Sequence, residues 1–304
     1  MYKATLRPSE NLRNASPPDL TCAVKEAALS LGADLVGIAD PARLAQEPPR
    51  RRPQAIFPEV KSIIVLGRRI TRGTLRGIEE GTNWNTYELF GRQWIEDQYL
   101  SRTSFEVVCF IEDIGYEAVP IFAYPPDTAS MGVATAEGGP APNVIPDVRT
   151  IAAAAGLGEI GRHGELITPE FGTLQRLCVI LTDARLELDE PRSFNFCRGC
   201  SACIDACPLR AVSADQESEV QRAGLRWSEL RFNEALCSIC KNGAYQSRFV
   251  GSSKIDRIAA ACGRACLVSL ETRGLLTRRF SNPFRVRDAW SVSAFGKVDS
   301  GGRM

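Results

Sequence analysis

Cys197-Arg-Gly-Cys200-Ser-Ala-Cys203-Ile-Asp-Ala-Cys207-Pro208 sets three thiols at two-residue gaps and a fourth after three residues, directly ahead of a proline. Such gaps let consecutive thiolates take separate corners of one iron-sulfur cubane, while the fourth, before Pro, turns toward a different cluster. The stretch therefore predicts two clusters. Eight of the eleven cysteines lie between Cys197 and Cys266, and those downstream, Cys237, Cys240, Cys262 and Cys266, complete the eight ligands that two cubanes need. Zinc is disfavoured, because it takes paired knuckles or a Cys/His mix. Disulfides need an oxidising compartment, and the N-terminal Met-Tyr-Lys-Ala-Thr-Leu-Arg shows no apolar export segment. The other three cysteines, Cys22, Cys109 and Cys178, sit singly in apolar or helical surroundings and are expected in the core.

By analogy with two-cluster ferredoxins, Cys197, Cys200, Cys203 and Cys266 would hold one four-iron four-sulfur cluster. Cys207, Cys237, Cys240 and Cys262 would hold the other. The downstream half is less regular, because Cys266 precedes Leu267 where a ferredoxin usually has Pro.

With 304 residues the chain has room for about two domains, so a cluster domain alone leaves most of it unexplained. A net charge of +1 argues against a nucleic-acid polyelectrolyte partner, and no apolar run is long enough to span a bilayer. The basic spots Arg50-Arg51-Arg52 and Arg278-Arg279 read as solvated loops. The expected location is cytoplasmic.

Along the chain, Leu20, Val24, Ala27, Ala28 and Leu31 recur at helical spacing after Ser16-Pro17-Pro18-Asp19 and stop at Gly32. Strands are expected at 34–39, 62–66, 119–122 and 177–181, and a long helix from about Thr86 to Ile114, ended by Gly115. Pro125-Pro126 and Gly138 to Pro142 mark a long loop, a kind that more often carries function than not. An Ala-rich helical stretch from Asp147 leads into Gly156-Leu157-Gly158-Glu-Ile-Gly161-Arg162-His163. This formal GxGxxG is no dinucleotide fingerprint, since a helix and not a strand precedes it. Its glycines are expected to end that helix and let the loop backbone approach something flat or bulky. With one histidine and no Gly-x-Ser-x-Gly, a Ser/Cys-His hydrolase is disfavoured.

Gly-Leu-Gly-Glu-Ile-Gly-Arg, then Ile167-Thr-Pro-Glu-Phe-Gly172, then Leu181-Thr-Asp183, then the cysteine run, resemble the corrinoid (cobalamin)-dependent iron-sulfur reductases, the epoxyqueuosine reductase and reductive dehalogenase superfamily, over roughly residues 20 to 285. The resemblance implies an α/β (α+β) fold: a nitroreductase-like corrinoid and substrate domain over 1–190, a ferredoxin-like domain with two four-iron four-sulfur clusters over 191–285, and a tail over 286–304. It implies a cobalamin fed by the clusters, an electron donor such as a ferredoxin, flavodoxin or reductase, and a small organic substrate. Gly156, Leu157, Gly158, Gly161 and His163 would lie at the cofactor, with His163 bonding within the loop and not to cobalt. Arg162 would stand near the substrate and stabilise developing charge. Tyr99, preceding Phe110-Ile-Glu-Asp-Ile-Gly-Tyr116, would be the proton donor. Asp147 lacks the Asp-x-Ala-Pro setting of epoxyqueuosine reductases, and no helical-repeat extension follows, so nucleic acid is not expected while tRNA stays open. The alternative is a ferredoxin-type electron-transfer protein without corrinoid or catalysis.

Overall fold

The computed structural model describes residues 6–122, 133–134, 137, 144–247 and 255–299. The Pro125-Pro126 and Gly138 to Pro142 stretches lie outside them.

Helix α1 (Pro17–Ser30) starts where Ser16 accepts a hydrogen bond from the Asp19 N–H, and Gly32 (φ 110°) turns the chain out of it. Strands β1 (Leu35–Ala39) and β2 (Ser62–Arg69) follow. The expected helix from Thr86 is helical throughout but changes winding, π-type over Glu88–Gln93 and Ile95–Leu100, then regular as α2 (Ser101–Ile114), ended by Gly115 at φ 99°. Strand β3 (Ala118–Ile121), helix α3 (Val148–Ala154) and strand β4 (Gln175–Thr182) complete the first part.

The four strands form one antiparallel sheet in the order β1-β2-β4-β3, with Ile64 opposite both Ile38 and Ile180. Period-two alternation gives β2 two apolar faces. Ile64 and Leu66 pack with Leu20 and Val24 of α1 and with Val107, Phe110 and Ile111 of α2. Ile63 and Val65 face Ile151 to Ala155, which are small enough for α3 to lie close. The sheet is thus covered on both sides, a mixed α and β architecture.

Beyond residue 190 come the hairpin β5 (Val212–Arg222) and β6 (Leu225–Phe232), and helix α4 (Ala261–Thr272). Ala223 (φ 50°) and Gly224 (φ 74°) form the tip, the two positive-φ residues that a tight two-residue turn requires. A single apolar cluster joins Leu35, Ile70, Ile78 and Tyr87 to Ile258, Leu267, Leu270 and Phe284, so both parts share core. No helix among the described residues is long and apolar enough to cross a membrane. Of the cysteines expected in the core only Cys178 is buried; Cys22 lies off the apolar stripe of α1 and is exposed, and Cys109 is half-buried.

Candidate iron-sulfur site

All described cysteines are free thiols, and the eight from Cys197 onward lie close to one another. Cys203 sits in a short helix (Ala202–Asp205), Cys237 in another (Glu234–Ser238) capped by Asn233, and Cys262 and Cys266 lie one turn apart on α4. Burial first, then the charges of Cys197, Cys203 and Cys200, holds the Cys266 thiol well above its ordinary pKa. Cys203 is likewise pushed up to about 11 by burial, then by Cys197 and Cys200. Cys262 is pushed up to about 12 by burial, with Arg257 pulling it down and Cys207, Cys203 and Cys237 pushing it up. Cys207, Cys237, Cys240 and Cys262 line one cavity with Pro208, Leu209, Ala211, Phe232 and Arg257. Helix α4 therefore gives one thiol to each group.

These residues suit an iron-sulfur cluster better than a lone ion. Among the described residues, no three His, Cys, Asp or Glu side chains are placed to hold a single metal ion. Cys207, Cys237, Cys240 and Cys262 instead surround a space, and buried thiolates demand the positive charge that cluster iron supplies. Polar hydrogens are aimed at the sulfurs: Arg162 N–H at Cys197 (3.4 Å), Ala211 N–H at Cys207 (3.2 Å), and the Asn242 amide at Cys240 (3.4 Å). Ser269 Oγ lies 3.3 Å from Cys200 Sγ. Leu267, in the place of a ferredoxin's proline, is 1% exposed and continues α4, where a proline would break the helix.

The glycine-rich segment acts as a clamp on the first cysteine group. The Glu159 carboxylate accepts the backbone N–H groups of Phe194 (2.8 Å), Asn195 (2.9 Å) and Phe196 (2.6 Å), fixing the approach to Cys197. Arg162 donates from its guanidinium to the Cys200 carbonyl (3.0 Å) and, bidentately, to Glu217 on β5 (2.6 Å to each oxygen). That fork, with the Ser228 hydroxyl, lowers the Glu217 pKa to about 2. His163 is buried; its Nδ1 accepts the Glu165 N–H (3.1 Å), so Nε2 carries the proton and faces Cys266 Sγ at 3.3 Å. Burial lowers its pKa to about 4, which leaves the ring neutral at pH 7.

The glycines admit the chain's own backbone. A Cβ on Gly156 (φ 71°) would strike the Glu190 carbonyl, and one on Gly158 the Ile167 carbonyl across the pairing of 159–160 with 166–167. A Cβ on Gly161 would lie 2.7 Å from Ile167 Cδ1. Leu157 packs partly buried against the apolar clusters on either side. A groove of about 460 Å³ opens beside Cys197, lined by Gly158, Arg162, Arg192, Arg198, Arg226 and Trp227 among others. Tyr99 is not in its lining and is 41% exposed on the π-helical segment. Asp147 caps α3 through the Arg149 and Thr150 N–H groups and pairs with Arg222 of the hairpin (3.3 Å).

Sequence reading missed Glu159, Glu165, Glu217 and Arg257. The polar run of β5 carries no apolar alternation, and only the turn residues Ala223-Gly224 signal a hairpin at all.

No protein-family model matches the chain. A tetrachloroethene reductive dehalogenase of Desulfitobacterium hafniense is 33% identical over 124 residues, covering 40% of this chain and 19% of that protein. An epoxyqueuosine reductase of Gloeobacter violaceus is 32% identical over 190 residues, covering 62% of this chain and 52% of its own length. The fold is similar to that of a reductive dehalogenase studied for B12-dependent dehalogenation, with a TM-score of 0.53 and 20% identity over 86% of this chain and 35% of the other. A K488Q variant of a catabolic reductive dehalogenase gives a TM-score of 0.54 over the same shares.

Proposed function

Because the chain is related to both reductive dehalogenases and epoxyqueuosine reductases, we propose that it is an oxidoreductase of that superfamily, in which two four-iron four-sulfur clusters feed a corrinoid that reduces a small organic substrate. The observation that carries this reading is the meeting of eight thiols from two distant stretches in two adjoining groups of four, with Cys262 and Cys266 divided between them. When bound, the clusters supply one-electron transfer and the corrinoid the reductive bond cleavage. The chain's share is positioning and electrostatics. Cys197, Cys200, Cys203 and Cys266 hold the first cluster, and Cys207, Cys237, Cys240 and Cys262 the second.

The groove beside Cys197 is the place for the corrinoid, within electron-transfer reach of the first cluster. At about 460 Å³ it holds only part of a corrinoid, which is larger than the drug-sized molecules of ordinary ligand sites, and Arg192, Arg198 and Arg226 suit the anionic phosphate of a corrinoid tail. Arg162 lines the same groove and supplies positive charge there, although Glu217 holds its fork. Tyr99 takes no part in this proposal, since no described contact ties it to the groove.

The test is anaerobic purification after expression with cobalamin, followed by iron, sulfide and cobalt analysis. The expected protein carries about eight irons and one cobalt, and a Cys203→Ala variant keeps one cluster. Eight irons with no cobalt would leave a plain electron carrier, and no iron at all would remove the reading altogether. Arg162→Ala should keep its iron and lose turnover by about 100-fold or more, the scale of one removed charge contact in a reaction site.

A further inference from the structure

Resting on the two-cluster reading, we infer that Arg257 is a buried charge that selectively raises the reduction potential of the second cluster, the one assigned to Cys207, Cys237, Cys240 and Cys262. Arg257 is 9% exposed and lines the cavity that these four thiols surround. Its guanidinium stacks on the Phe232 ring, 3.8 Å from the centroid, which fixes its plane. One end donates to the His163 carbonyl (2.8 Å) and reaches Glu165 (3.4 Å). The Nε–H, also buried, finds no hydrogen-bond partner among the described residues. A buried donor without a partner is costly unless something accepts from it, and the cavity of thiols is what this residue lines.

The two groups differ in how they are served. Beside the first, His163 offers a neutral N–H, and the charge of Arg162 is met by Glu217 in a bidentate pair. Among the described residues Arg257 forms an ion pair with Glu165 alone, and it shares that acid with Arg149, whose guanidinium lies 3.5 Å from the other carboxylate oxygen. The second group therefore faces the less compensated cation. Reduction adds one electron from an external one-electron donor, with no proton taken up and no bond broken. A fixed positive charge in a low-dielectric site stabilises the added electron, and the closer cluster gains more.

The experiment is an anaerobic titration with dithionite, followed by electron paramagnetic resonance, on the full iron-loaded chain. Cys200→Ala and Cys240→Ala variants identify the signal of each cluster. In Arg257→Gln the second cluster's potential should fall, with a change of about tenfold in its reduction equilibrium, or ~59 mV for a one-electron couple. The first cluster should move by less than half as much, and Arg257→Lys should stay near the wild-type values. Equal shifts of both clusters, or none, in a protein that still holds its iron would overturn the inference while sparing the function. A wild-type protein without clusters would overturn both. Glu165→Gln gives a second arm that leaves Arg257 in place: the second cluster should rise, and a fall or no change there would overturn the role assigned to Arg257.

Discussion

The guanidinium of Arg162 is held at both ends, by the Cys200 carbonyl and by Glu217, so one side chain locks the hairpin onto the cysteine loop. Glu217 titrates near 2 in the folded protein against an ordinary 4.5. A carboxylate with a depressed pKa contributes stability that is fully present above 4.5 and is lost as pH falls toward 2. Glu217→Gln should therefore lower the thermal midpoint at pH 7, and the gap to wild type should shrink below about pH 4.5. Because the pair is partly solvated, the effect at neutral pH is at most ~1 kcal/mol and weakens with salt. A gap that persists unchanged at pH 3 would show that the ion pair adds nothing beyond shape. His163 works differently: buried and neutral, it serves through a hydrogen bond and not through charge.

Helices and strands carry the glycine-rich segment into contact with the cysteines, and here the tolerance is small. Gly158 lies where a Cβ would meet the backbone carbonyl of Ile167, which cannot swing aside as a flexible side chain could. Gly158→Ala should thus destabilise the protein by ~1–3 kcal/mol, as overpacking does, and loosen the first cluster before the second. Iron release under mild denaturant, resolved by the two cluster signals, checks that order. The elements of the sheet were legible in the sequence because continuous apolar runs and Gly32 and Gly115 leave local marks. The glycine segment was legible as special, but its purpose was not. Glu159 caps a loop 35 residues away, and nothing local to Glu159 announces that partner. The hairpin was missed for the related reason that β5 is largely polar, and the π-type winding over 88–100, in which buried Ile95 and Leu100 stand five residues apart, was read as part of one regular helix.

Across the whole molecule, buried ion pairs stitch the residues after 255 to the first part of the chain, from Glu79 to Arg176. Arg264 of α4, 1% exposed, donates to Glu79 at 2.7 Å, and Arg285 joins the same carboxylate. Asp256 pairs with Arg176 at 2.6 Å and receives the Tyr87 hydroxyl at 3.1 Å. Burial alone would favour a neutral Asp256, yet Arg176 and Arg92 hold its pKa below the ordinary value. Such pairs arrange α4, and with it Cys262 and Cys266, against the first part of the chain. Taking a charge from a buried pair leaves its partner uncompensated, at a cost of ~3–5 kcal/mol, whereas replacing both by apolar groups of similar size is often near neutral. Arg264→Met should accordingly lower the thermal midpoint of the iron-loaded protein steeply, and Glu79→Leu combined with it should restore part of the loss. Arg285 complicates the double variant, because it also loses Glu79, but it is more exposed and can turn to water. If the single and double variants melt together, the pairs do not couple the two parts, and shared apolar contacts such as Ile78 with Leu267 and Leu270 would have to hold the clusters in place alone.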